Sequence, residues 1–133
     1  MECLSFVITM MKRRNNAAAE RFADRRRREQ DAPRLADQVP ALVSLEISID
    51  ERSGVAGVKH TRRVVVDNAP ALFLLPCGDS RCADGEHDLT TTVMRALRAH
   101  ETSFQGSDSC MGSLGPAACG RVVHFDAVAH YRP

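Results

Sequence analysis

The sequence predicts an α+β fold, a small antiparallel sheet of four to five strands with one helix packed on a face, a four-cysteine site of zinc type and an N-terminal helical arm. Three observations carry this expectation. Val43 to Asp50 alternates apolar and polar residues without a break, the period of a strand with one buried and one wet face. Leu89, Val93, Ala96, Leu97 and His100 recur at helical spacing, so a helix over 89–100 presents one apolar stripe to the sheet. Arg121 to Tyr131 alternates again, with Val123, Phe125, Ala127, Ala129 and Tyr131 on one face and His124, Asp126, Val128 and His130 on the other.

The remaining elements follow in chain order. Residues 12–30 read as a helix on propensity, with Ala17, Ala18, Ala19, Phe22 and Ala23 as its thin apolar content and Asp24 and Arg28 as an i,i+4 pair. Asp31-Ala32-Pro33 has the form of an N-cap with proline in the first turn, starting a short helix through Leu35 and Val39 that ends near Pro40. Residues 51–57 are expected as a loop, and His60 to Val66 as the second strand of a hairpin. The continuous apolar run Ala71 to Leu75 is expected as a central strand covered on both faces. Asp88 is placed to accept a first-turn amide of the helix after it. Glu101 to Phe104 reads as a short strand, and the Gly- and Ser-rich residues 105–118 as loop. The organisation is then an arm over 1–40 and an α+β domain over 41–133.

Composition limits the function classes. The chain has 133 residues, 44% hydrophobic and 26% charged, with one Tyr, five Phe and no Trp. That is enough for one domain with a modest, ring-poor core, for which a metal or cross-link is physically useful. Net charge is +1, but residues 11–30 hold eight basic side chains against three acidic ones. A basic arm of this kind, Arg25, Arg26, Arg27 and Arg28 above all, offers phosphate contacts to a nucleic acid, although it lacks interleaved aromatics for base stacking; a solvated charged helix explains it too. The apolar run Cys3 to Met11 is short and preceded by Glu2 rather than a cation, so neither a signal peptide nor a membrane span is expected. Met11 offers an alternative start. A cytoplasmic location follows as the expectation, and there clustered cysteines bind metal more often than they form lasting disulfides.

Four cysteines carry the chemistry. Four residues separate Cys77 from Cys82, twenty-seven intervene before Cys110, and eight more precede Cys119. Two thiol-bearing turns with a structural unit between them suit tetrahedral zinc. Glycine follows Cys77 and Cys119, a residue type that lets backbone amides turn toward a thiolate. His87, with four residues between it and Cys82, is a substitute ligand. Disulfides and unpaired buried thiols remain alternatives from spacing alone. At class level Cys77 to Cys119 resembles the zinc ribbons and related four-cysteine domains, in which two turns clamp one metal beside a small sheet; the ribbons space each pair by two residues, where this chain has four and eight.

No nucleophile elbow, phosphate loop or dinucleotide fingerprint is present, and no catalytic residue is assigned. His87-Asp88, and the His124, Asp126 and His130 face, are read first as a helix start and a wetted strand surface. The expected function is a non-enzymatic zinc-stabilised module that binds a macromolecular partner, protein or nucleic acid. The alternative is a small metal- or thiol-dependent enzyme using the Cys77–His87 region, with Glu86 as base.

Overall fold

The computed structural model describes residues 19–53, 56–79 and 81–133. The expectations for Cys3 to Met11 and for the first part of the arm lie outside them. The chain divides into two compact units, Met1–Asp31 and Ala32–Pro133, which are taken separately.

In the first unit, residues 19–31 form helix α1. Asp24 receives Arg28 at 3.0 Å and Arg27 at 3.4 Å, the pairing that i,i+4 and i,i+3 spacing allows. Arg26 lies over the Phe22 ring, 5.8 Å from its centroid.

The second unit is α+β. Its main sheet is antiparallel in the order β2-β1-β8-β5, from β1 (Leu42–Ser53), β2 (Ala56–Val64), β5 (Ser103–Ser109) and β8 (Val122–Tyr131). Two short ribbons accompany it, β3 (Leu74–Pro76) with β4 (Glu86–Asp88), and β6 (Ser113–Leu114) with β7 (Ala117–Ala118). Helix α2 (Leu35–Gln38) precedes β1, and α3 (Thr90–Arg98) precedes β5.

The alternation in β1 and β8 decides which face is buried. Leu45, Ile47, Ile49, Val123, Phe125, Ala127 and Ala129 all point inward, and α3 covers them with Val93, Met94, Ala96 and Leu97. Leu35 and Val39, around α2, complete this core with Phe73 and Leu89. Asp88 Oδ1 accepts the first-turn Thr90 amide at 3.0 Å, as its position before the apolar stripe implied, while the N-cap position itself is Leu89. His100 departs from the stripe. It is exposed at positive φ just beyond the helix and stacks on Tyr131, ring centroids 4.6 Å apart.

Several boundaries differ from the expectation. The hairpin strands run through Ser53 and resume at Ala56, because a long two-stranded ladder satisfies backbone groups that a seven-residue loop would leave to water. Ala71 to Leu75 is not a central strand: only Leu74–Pro76 is extended, and it pairs with β4 alone. Its apolar side chains are nevertheless buried, since Ala71, Phe73 and Leu74 fill core space beside the helix. The polar segment after Phe104 is strand through Ser109 rather than loop. As an edge strand with one open face it needs few apolar residues, and Gly106 is required where it lies, because a Cβ there would fall 2.5 Å from the Phe125 ring. Asp31 ends α1 instead of capping α2, whose cap position is Arg34 with no side-chain bond.

The inner face of the sheet therefore has two ends. Register aligns Ile47, Ala127 and Phe104 in one row and Ile49, Phe125 and Gly106 in the next, both apolar. The row after them is Glu51, Val123 and Asp108, where two carboxylates replace hydrophobic side chains beneath the cysteine loops.

Candidate metal centre

Two loops cover this polar end. The first, between β3 and β4, carries Cys77 and Cys82; the second, between β5 and β8, carries Cys110 and Cys119. Backbone bonds tie the loops together: Ala83 donates to the Ser113 carbonyl at 2.8 Å and Ser113 donates back at 3.1 Å. Each loop is also closed on itself, by Cys77 donating to Gly85 and by Cys119 donating to Gly112. Asp84, at positive φ, turns the first loop so that Gly85 tucks beneath the sulfurs.

All four Sγ atoms lie within 4.8 Å of one another. Cys77 and Cys119 are 3.7 Å apart at sulfur, and Cys82 and Cys110 3.6 Å. A tetrahedral ion with metal–sulfur bonds of about 2.3 Å sets its ligand sulfurs about 3.8 Å apart. A disulfide would bring them to about 2.0 Å, and the four cysteines are free. The group is thus able to hold a metal ion. Cys82 and Cys110 are buried, while Cys77 and Cys119 are partly exposed.

Two glycines admit this packing. A Cβ on Gly85 would stand 2.5 Å from Cys82 Sγ and 3.1 Å from Cys110 Sγ. On Gly112 it would overlap Cys82 Sγ and meet the Ala83 carbonyl at 2.5 Å. These are not the glycines singled out in the sequence. Gly78 turns its amide to Glu51 Oε1, at 2.7 Å, rather than to a sulfur. Amides two residues further along serve three of the sulfurs: Gly112 donates to Cys110 Sγ at 3.4 Å, and the amides of Asp79 and Arg121 act to lower Cys77 and Cys119. That repeated offset supplies three N–H groups to thiolates that would otherwise be bare.

The thiols are unevenly tuned. Burial, before any neighbour, pushes Cys77 up to about 11 and raises Cys82 further. Cys119 is lowered, chiefly by the Arg121 amide. Buried thiols that keep their protons are inert as nucleophiles, and a metal must displace those protons to bind.

Around the sulfurs lies a charged frame that sequence reasoning missed. Arg121 donates to Glu51 Oε1 at 2.9 Å, with both side chains largely shielded. Arg81 grips Asp79 through Nε and Nη2 at 3.1 and 3.0 Å, and this contact holds the Asp79 carboxyl down at about 2. The signal for Glu51 was present: it continues the period of Leu45, Ile47 and Ile49 and is a carboxylate on an otherwise apolar face. His87 is fully buried in β4, and its Nδ1 meets Asp108 Oδ2 at 3.2 Å. It falls in a second donor group, with Glu51 and Cys77. Glu86 belongs to neither group, and His124, Asp126 and His130 remain on the exposed face. In the arm, Arg25 to Arg28 lie on α1, where Asp24 engages Arg27 and Arg28. Among the described residues no helix is long and apolar enough to cross a membrane.

Comparison of the chain with family models, curated proteins and solved structures found no match.

Proposed function

We propose that the chain is a non-enzymatic, zinc-stabilised module that binds a macromolecular partner, with zinc held by Cys77, Cys82, Cys110 and Cys119. The mutual approach of four sulfurs at tetrahedral spacing carries the reading. Four thiolates suit zinc or iron, and a single ion enclosed by four protein ligands keeps no open position for a water, which favours a structural over a catalytic role. The location also argues for structure. The centre joins two loops with few buried apolar side chains of their own at the polar end of the sheet, where an ion supplies the cohesion that a hydrophobic core supplies elsewhere.

Partner binding draws on the surface that remains. Ser48, Thr61, Gln105, His124, Asp126 and His130 belong to an outer sheet face that is exposed in the described unit, and polar strand faces of this kind serve as recognition platforms when a rigid scaffold holds them. The described arm contributes five arginines against Glu20, Asp24, Glu29 and Asp31, a nearly balanced charge that favours a protein partner over a nucleic acid bound by phosphate contacts alone.

Elemental analysis with a thiol count tests the reading. At least one zinc ion per chain is expected, with four of the five thiols protected from alkylation until a strong chelator is added and the domain unfolding cooperatively when it is. Metal far below one equivalent with all thiols freely alkylated overturns it.

A further inference from the structure

His87 presents an unusual combination. The side chain has no exposed surface, Nδ1 is engaged by Asp108, and Nε2 is buried with no hydrogen-bond partner among the described residues. An ionised carboxylate can only accept, so the Asp108 contact places the ring proton on Nδ1 and leaves Nε2 as a bare lone pair. An orphaned acceptor in a closed interior is destabilising, unless something binds it. A carboxylate on one ring nitrogen with the other left free is the arrangement that orients metal-ligating histidines.

Suitable companions stand beside it. A His87 ring nitrogen, a Glu51 carboxylate oxygen and Cys77 Sγ lie within 4.8 Å of one another. Tetrahedral ligands of one ion with bonds of about 2.0–2.3 Å lie about 3.3–3.8 Å apart, so this group closes on a cation by side-chain shifts of up to about 1 Å. Glu51 binds Arg121 and the Gly78 amide through Oε1, and neither of these two bonds uses Oε2. Gly78 is what admits the carboxylate, since a Cβ there would sit 2.6 and 2.7 Å from its two oxygens. Of the four clustered sulfurs, only Cys77 belongs to this second group.

We propose that His87 Nε2, Glu51 and Cys77 form a second divalent-metal position of zinc type, adjoining the four-cysteine centre and sharing the Cys77 sulfur with it. The inference rests on the four-cysteine reading, because Cys77 serves both ions. Charge supports it. A dication with four thiolates carries a net −2, and the nearest cations, Arg121 and Arg81, are already matched by Glu51 and Asp79. A second dication beside Cys77 offsets that excess where the two arginines do not. Three protein ligands also leave room for a further ligand from solvent, unlike the closed first centre.

Native mass spectrometry of the full chain, stripped and reloaded with excess zinc, reads the stoichiometry directly, and cobalt substitution reports thiolate ligation by its charge-transfer absorption. The wild-type chain is expected to hold two ions. His87→Gln and Glu51→Gln are each expected to hold one and to keep the cobalt–thiolate absorption, which also reports that the variant has folded. Should His87→Gln fail to fold, Glu51→Gln decides alone. Saturation of the wild-type chain at one ion, or two ions in a folded variant, overturns the second position while leaving the first. No ion at all in the wild-type chain overturns the four-cysteine reading, and this inference falls with it.

Discussion

One sheet supports two regions built on different physics. At the helix end, rows of Ile47, Ala127 and Phe104 and of Ile49 and Phe125 face Val93, Met94 and Leu97 across a dry interior. Cohesion there scales with apolar area and close packing and is insensitive to pH or metal. At the cysteine end the same strands deliver Glu51 and Asp108, and the loops above them bring four sulfurs, a buried histidine and several glycines. Few apolar side chains are buried there, and the contacts that hold it are amide-to-sulfur bonds and the Arg121–Glu51 pair. The lesson is that a short, ring-poor chain can extend its sheet past the reach of its hydrophobic core by gathering polar and sulfur groups able to hold a metal ion at the last row.

The comparison can be broken from either end. Leu97 is fully buried at the centre of the helix stripe, so Leu97→Ala should cost about 2–5 kcal/mol of unfolding free energy. Denaturant titration of the metal-loaded protein reads this, and the site's metal affinity in the folded state should be unchanged. A large affinity loss would show that the two ends are not separable. Gly112→Ala tests the other end with a single methyl. Its Cβ would meet Cys82 Sγ, the Ala83 carbonyl and the Gly85 backbone, none of which is a flexible side-chain tip. A cost of about 1–3 kcal/mol is expected from overpacking, accompanied by weaker metal retention against a chelator, with the helix-end packing intact by near-ultraviolet absorption and fluorescence of the Phe and Tyr residues. An unaltered retention would mean that the loops yield without disturbing the sulfurs.

How far the sequence revealed each region follows the same division. The helix end was legible because period 2 in Val43 to Asp50 and Arg121 to Tyr131, and period 3.6 in Leu89 to Leu97, are written in local spacing. Ala71 to Leu75 misled because a run of apolar residues reports burial without saying which neighbour supplies it. The edge strand after Phe104 was hidden since its open face and Gly106 carry no apolar alternation. At the cysteine end the thiols announced themselves, yet their frame did not. Glu51, Asp108 and Arg121 matter through register between strands distant in the chain, and Gly85 and Gly112 matter through approaches that only the folded loops create. Glu51 alone left a local trace, as a charge on the buried period of β1.

The smallest expected effect concerns pH and distinguishes the ends without any substitution. In the metal-free protein, burial raises Cys77 to about 11 and moves Cys82 in the same direction, while Cys119 is lowered by the Arg121 amide. A thiol whose folded pKa exceeds its unfolded value, 9.0 here, binds more protons folded than unfolded between the two. Its contribution is therefore complete below pH 9 and is lost as pH rises toward 11. Cys119 acts in the opposite sense, but two thiols outweigh one, so metal-free stability should decline across this window. With metal bound the sulfurs hold no proton in the folded state and the thiol contribution to that decline should be absent. Thermal melts of stripped and loaded protein from pH 8 to 11 measure the difference, to which Tyr131, raised by burial above its ordinary 10.0, contributes equally in both forms, and Leu97→Ala should lower both curves without changing the gap between their slopes. Parallel slopes for stripped and loaded protein would mean that the cysteines are not where the metal acts.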